Sequence, residues 1–295
     1  MDIKTVAFVG LGVMGEAMCR NLARKGPWTV VGYDARPEAL QRLAGDGVAA
    51  ATSLADAASR AEVVVLCLPG GKEVEAVARG AGGLLAHVRM GQTIVDMSTA
   101  PPRLMRELAA EFAAKGVAFA DAPVARTRRA AIDGTLSIMV GGGASDFARL
   151  RPILATMGSE VTHCGAVGAG QVVKLMNNMV VFETTMAIAE AISIAEAAGV
   201  DGQLLYETMA KGSADSFALR NHGMKHLVPQ DYPTEAFSVR YAQKDLAYAR
   251  ELAAETGVTA RGAALVAELF DDAVARGDGD RYIPVIRRGM TKPKP

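Results

Sequence analysis

An α/β protein in two parts is predicted. A doubly wound parallel sheet occupies residues 1–166, and an all-helical domain built on one long helix occupies 167–295. Three observations predict this. Short apolar runs rich in β-branched residues alternate with helix-forming stretches from Thr5 to His163. Glycines sit where several of these runs hand over to a helix. After Gly168 the strand-like runs stop, and a proline-free stretch of helix formers extends to Gly199. Unbroken apolar runs bounded by turn residues are the mark of strands buried on both faces. Their alternation with helices implies a mostly parallel sheet covered on both sides.

The first run, Thr5 to Val9, ends in Gly10-Leu11-Gly12-Val13-Met14-Gly15. A helical stretch follows to Gly26, where Pro27 stops it, then a strand from Trp28 to Tyr33 with Asp34 at its end. Strand, glycine turn, helix, strand and acid in this order form the Rossmann dinucleotide-binding pattern. Gly10 allows the tight turn, Gly12 lets the backbone approach a pyrophosphate, and Gly15 lets helix and strand pack closely. The N-terminal N–H groups of the helix face the phosphate charge. Asp34, 19 residues beyond Gly15, suits the adenosine ribose hydroxyls and repels a 2′-phosphate, which favours NAD over NADP. Arg36 weakens that preference, because a guanidinium there could meet the 2′-phosphate.

Further strands are expected at 63–68, 93–95, 117–120, 136–140 and 161–163. Helices are expected at 38–43, 54–59, 101–115 and 147–157. Ligands bind beyond the carboxyl ends of parallel strands, where Leu68-Pro69, Ser98-Thr99 and Pro123-Val124 fall. In the second part, helices are expected at 204–210, 241–257 and 260–276. The long helix would span roughly 45 Å at 1.5 Å per residue. Its first turns carry Lys174, Asn177 and Asn178 at i, i+3 and i+4, hence on one face.

Of the 295 residues, 50% are apolar and 22% charged, and 32 basic residues balance 32 acidic ones. No net field favours nucleic acid or a membrane surface. Cys19, Cys67 and Cys164 are odd in number and widely spaced, so neither a disulfide framework nor a metal site is expected, in keeping with a reducing cytoplasm. The first residues run straight into a strand pattern without the layout of a signal peptide. Charged residues break every apolar run before 18 residues, so no membrane span is expected. His163 reads as structural, and His87, His222 and His226 show no ligand spacing. The closing TKPKP reads as a frayed end.

Four stretches then line up: GLGVMG at Gly10, DAPV at Asp121 followed by GTLSIMVGG at Gly134, Gly168-x-Gly170-x-x-x-Lys174-x-x-Asn177-Asn178, and Lys244-Asp245-Leu246. Together they resemble the β-hydroxyacid dehydrogenase family, of the 3-hydroxyisobutyrate dehydrogenase type, over nearly the whole chain. The resemblance implies hydride transfer between a nicotinamide and the alcohol or aldehyde carbon of a small anionic 3-hydroxy acid or its semialdehyde. It implies Lys174 as general acid/base. Asn178 would hold the lysine and the substrate oxygen in register, and Asn177 would contact substrate. Lys244 would approach nicotinamide and substrate, while Leu68, Pro69 and Thr99 would touch the cofactor and Ser98 the substrate.

One departure stands out. The family's Ser-Gly-Gly after DAPV is replaced by Ala125-Arg126-Thr127. A guanidinium fork and a threonine hydroxyl suit an anion. A similar Gly-Arg-Thr marks the sulfolactaldehyde reductase branch, so the anion bound by Arg126 and Thr127 is expected to be a carboxylate or a sulfonate. Two other readings exist on the same fold, a non-catalytic nucleotide-binding module and an imine reductase. Lys174 and Asn178 argue against the first, and Lys174 against the second. A helix as long as 168–199 needs cover for its apolar side, so a homodimer or homotetramer packed through the C-terminal domains is expected.

Overall fold

The computed structural model describes residues 3–234 and 236–290; the TKPKP tail lies outside them. β1 (Thr5–Val9) is flanked by strands on both sides and buries Val6, Ala7, Phe8 and Val9. α1 (Gly15–Lys25) turns Ala17, Met18, Cys19 and Leu22 inward, and its chain exits at Gly26 into β2 (Thr29–Tyr33). α2 (Pro37–Gln41), β3 (Val48–Ala50), α3 (Leu54–Arg60) and β4 (Val63–Leu66) complete the first half. Ser53 caps α3 by accepting from the N–H of Asp56. α4 (Gly71–Arg79), α5 (Leu84–His87), β5 (Thr93–Asp96), α6 (Pro102–Ala113) and β6 (Ala118–Asp121) form the second half. Strands run 3-2-1-4-5-6, all parallel, so the order reverses between β1 and β4.

Beyond β6 the parallel pattern breaks. β7 (Val124–Ala125), α7 (Arg128–Asp133) and β8 (Leu136–Gly141) follow, with β8 antiparallel to both β6 and β7. α7 has only six residues, too short a connection for a parallel crossover. α8 (Ala144–Leu154) then leads to β9 (Gly158–Gly165), again parallel to β8.

Three elements of this region depart from the sequence expectation. β9 has eight residues, not three, because it is a half-exposed edge strand whose polar residues carry no apolar signal. β7 is too short to register as a periodic run. α7 begins in a run of arginines that reads as loop, and its C-terminal signal is Gly134 in the left-handed region (φ +71). β3 is a further strand the sequence did not announce.

The chain divides into two compact units after Lys174, within α9 (Ala169–Ala197). The second unit adds α10 (Gly202–Met209), α11 (Val239–Glu255) and α12 (Arg261–Ala275). A π-helical segment, Leu219–Leu227, and a 3-10 segment, Ile283–Gly289, were not expected. Its core holds Phe182, Ile192, Tyr206 and Phe270, with Phe182 edge-on to Phe270 at 5.5 Å. Although charged residues interrupt it, α9 is the one helix among the described residues long and apolar enough, by length and composition alone, to cross a membrane.

Candidate active site

The glycine turn shows which of its glycines serve the chain itself. A Cβ on Gly10 (φ +92) would lie 2.2 Å from the carbonyl oxygen of Cys67, and one on Gly15 would lie 1.9 Å from that of Gly10. Both positions exclude a side chain through close backbone approach. A Cβ on Gly12 would meet nothing nearer than Arg36 Nη2 at 3.9 Å. The room above Gly12 is therefore not filled by protein. Met14, at the N-cap of α1, makes no side-chain cap. The N–H of Glu16 donates to the Gly12 carbonyl at 3.0 Å, so an anion at this helix start would meet the remaining first-turn N–H groups. A dinucleotide pyrophosphate fits both facts.

Asp34 closes this turn. Its Oδ2 accepts from the N–H of Leu11 at 2.7 Å, and its Oδ1 from the N–H of Arg36 at 2.9 Å. Partial burial pushes the carboxyl upward, but those N–H groups and the Arg36 guanidinium outweigh it and hold the group below the usual carboxylate range. A cavity of about 330 Å³ opens beside it, lined in part by Gly12, Val13, Arg36, Arg42 and Arg128. All three arginines are exposed; Arg42 is tied to Glu16 at 2.6 Å and Arg36 to Asp34 at 3.4 Å.

At the carboxyl ends of β4 and β5, the Ser98 hydroxyl accepts from the N–H of Leu68 at 2.9 Å. Ser98 is 3% exposed, and its hydroxyl ties the two strand ends together. Thr99 is buried and Pro69 exposed. The Gln171 side chain, on the first turn of α9, reaches this loop: its Oε1 accepts from the N–H of Ala100 at 3.1 Å, and its Nε2 donates to the Ser98 carbonyl at 2.7 Å.

Lys174 follows one turn later and is only 8% exposed. A buried ammonium is costly, which sets it apart from an ordinary helix-surface lysine. Asn177 and Asn178 belong to the second unit. Asn177 Nδ2 donates to Asn178 Oδ1 at 3.2 Å, and Asn178 Nδ2 donates to Asp245 Oδ2 at 2.8 Å. The other oxygen of Asp245 accepts from Lys244 Nζ at 2.7 Å. Lys244 also lies over the rings of Tyr241 and Tyr248, at 4.5 and 5.1 Å. The KDL motif therefore joins Lys244 to Asn178 through Asp245.

Arg126 adopts a glycine-like backbone (φ +87). One terminal nitrogen donates to the Thr135 carbonyl and to Ser159 Oγ. Among the described residues, the Nε and the other terminal nitrogen make no hydrogen bond. Thr127 is the N-cap of α7, and its side chain makes no cap there.

Three residues of the site escaped the sequence reading: Asp121, Gln171 and Asp245. Each lay inside a motif that was read for a neighbouring residue.

Strand order, glycine turn and terminal acid define a dinucleotide-binding Rossmann domain. Residues 5–165 match the NAD-binding domain of 6-phosphogluconate dehydrogenase, and residues 168–284 match the NAD-binding domain of NADP-dependent 3-hydroxyisobutyrate dehydrogenase. The 3-hydroxyisobutyrate dehydrogenase of Pseudomonas aeruginosa is 37% identical over 90% of each chain. The NAD-dependent L-serine dehydrogenase of the same organism is 32% identical over 97% of each. The structure of Mycobacterium tuberculosis 3-hydroxyisobutyrate dehydrogenase with L-serine superposes with a TM-score of 0.90 at 32% identity, covering 99% of this chain and 100% of that one. The chain belongs to the β-hydroxyacid dehydrogenase family.

Proposed function

We propose that the enzyme interconverts a small anionic 3-hydroxy acid and its semialdehyde, with Lys174 as general acid/base. The burial of Lys174 on the first turns of α9 carries this reading. The relatives named for 3-hydroxyisobutyrate and L-serine support the substrate class. When bound, the nicotinamide accepts or supplies the hydride at the alcohol or aldehyde carbon. Lys174 Nζ takes the hydroxyl proton in oxidation and returns it to the carbonyl oxygen in reduction. Asp245 fixes the amide of Asn178, which would orient the substrate oxygen. Lys244, held by the same carboxylate, adds positive charge.

The substrate anion, carboxylate or sulfonate, would be read by Thr127 and by the Nε edge of Arg126, whose fork is steadied by Thr135 and Ser159. NAD is the favoured cofactor because Asp34 is ionised at the end of β2. Exposed apolar residues on α9 support a homo-oligomer. The three free thiols fit a cytoplasmic location.

Lys174→Ala tests the chemistry. Turnover should fall at least ~10³-fold while NAD still binds; near wild-type turnover overturns the reading. Comparing 3-hydroxyisobutyrate, L-serine and sulfolactaldehyde, each with NAD(H) and NADP(H), tests the anion and the cofactor. Activity on carboxylates alone removes the sulfonate.

A further inference from the structure

Asp121, the last residue of β6, is fully buried, and both carboxylate oxygens face the start of α9. Oδ1 accepts from the N–H of Gly168 at 2.6 Å, and Oδ2 from the N–H of Gln171 at 2.8 Å. The surroundings are shaped to admit this group. A Cβ on Gly141 would lie 2.4 Å from Oδ1, and one on Gly170 would lie 2.8 Å from Oδ2 and 2.2 Å from the Met139 carbonyl oxygen. Helix start and strand thus meet at backbone distance around one carboxylate. Negative charge at a helix N-terminus is favourable. Gln171, also fully buried, leaves the same turn in the other direction and bonds both Ala100 N–H and the Ser98 carbonyl.

We propose that Asp121 and Gln171 are positioning residues for the reaction. Together they lock the helical turn carrying Lys174 to β6 on one side and to the Ser98–Ala100 loop on the other. The proposal rests on the reading of Lys174 as the acid/base. Lys174 lies three residues beyond Gln171 on the same helix, so a shift of that first turn moves its Nζ with it. Proton transfer tolerates little displacement, and an error of about 1 Å can cost roughly 10²-fold in rate. An apolar residue at 121 would leave two buried N–H groups without their acceptor. An asparagine would turn an N–H₂ toward one of them. Arg106, from α6, and Cys164, from β9, are the other ionisable groups that feel this carboxylate.

The test compares Asp121→Asn, Gln171→Met and Lys174→Ala with wild-type enzyme by NAD titration calorimetry and steady-state kinetics. In both positioning variants we expect one NAD per chain with Kd within about threefold, and kcat lowered roughly 10- to 100-fold. A role confined to folding would lower NAD stoichiometry and leave turnover per NAD-binding site unchanged; that result overturns the proposal. So does kcat within twofold of wild type in a folded variant. If Asp121→Asn is not recovered folded, Gln171→Met decides alone. Loss of turnover in Lys174→Ala with active positioning variants defeats only this proposal. An active Lys174→Ala defeats the acid/base reading itself.

Discussion

Asn178 donates from Nδ2 to Asp245 Oδ2 at 2.8 Å, across 67 residues of sequence, and both side chains are buried. Because the second Asp245 oxygen holds Lys244, one carboxylate orients two of the residues assigned to substrate and cofactor. Asp245→Asn keeps an acceptor for Asn178 but removes the charge facing Lys244, and Asp245→Leu removes both. Kinetics on purified variants should show kcat reduced about tenfold for the first and about a hundredfold for the second. Urea unfolding should show Asp245→Leu destabilised by about 2 kcal/mol. Equal effects from the two substitutions would mean that Asn178 does not depend on this carboxylate.

The left-handed backbone of Arg126 strains a residue with a side chain. Arg126→Gly should relieve that strain and raise unfolding free energy by about 1 kcal/mol, although it removes the bonds to Thr135 and Ser159. Arg126→Ala keeps the strain and loses the bonds, so it should be the less stable of the two. Thermal melts of both variants check the order. Their KM for an anionic substrate should rise together, since both remove the guanidinium.

Burial, the largest influence on Asp121, pushes its carboxyl up to about 6, against the helix N–H groups and Arg106, which pull it down. Its unfolded value is near 3.8. Between those values the folded chain binds more protons than the unfolded one, so this residue's contribution to stability falls as pH rises and then levels above the folded value. The loss amounts to about 3 kcal/mol. Asp34, Asp46 and Glu62 have lowered values and act in the opposite sense. The difference in stability between wild type and Asp121→Asn isolates the effect. It should become less favourable to wild type by about that amount between pH 4 and pH 7. A flat difference would show that the carboxyl titrates at its ordinary value.

On α9, Val180 and Ile194 are 55% and 70% exposed, and the exposed Ala187 lies midway between them. Seven-residue spacing places the three along one stripe. A second copy of the chain would cover it. Light scattering of the wild-type enzyme should give a multiple of 30.8 kDa, and the double variant Val180→Glu, Ile194→Glu should run at the single-chain mass. A wild-type enzyme that is already monomeric ends the idea.

The parts of the site that were legible in the sequence are local. Gly10, Gly12, Gly15 and Asp34 act through spacing along one strand-turn-helix-strand unit, so their pattern survives without coordinates. Lys174, Asn177 and Asn178 share a helix face for the same reason. Asp121 and Gln171 act across 47 to 73 residues, and no periodicity links such partners. The same holds for Asn178 with Asp245. The antiparallel return through α7 was hidden differently: Arg128 and Arg129 made a short helix look like a solvated loop, and only the left-handed Gly134 behind it marks an end.

The three glycines of the first turn look equivalent in one-letter code, yet they differ in what they tolerate. Gly10 and Gly15 are surrounded by backbone, whereas the nearest atom to a methyl at Gly12 is 3.9 Å away. Alanine at 12 should therefore leave the fold intact and stand in the open space above the turn. Such a variant should take up the dinucleotide poorly with its interior unaltered, a reference against which ligand-induced change in this enzyme can be measured.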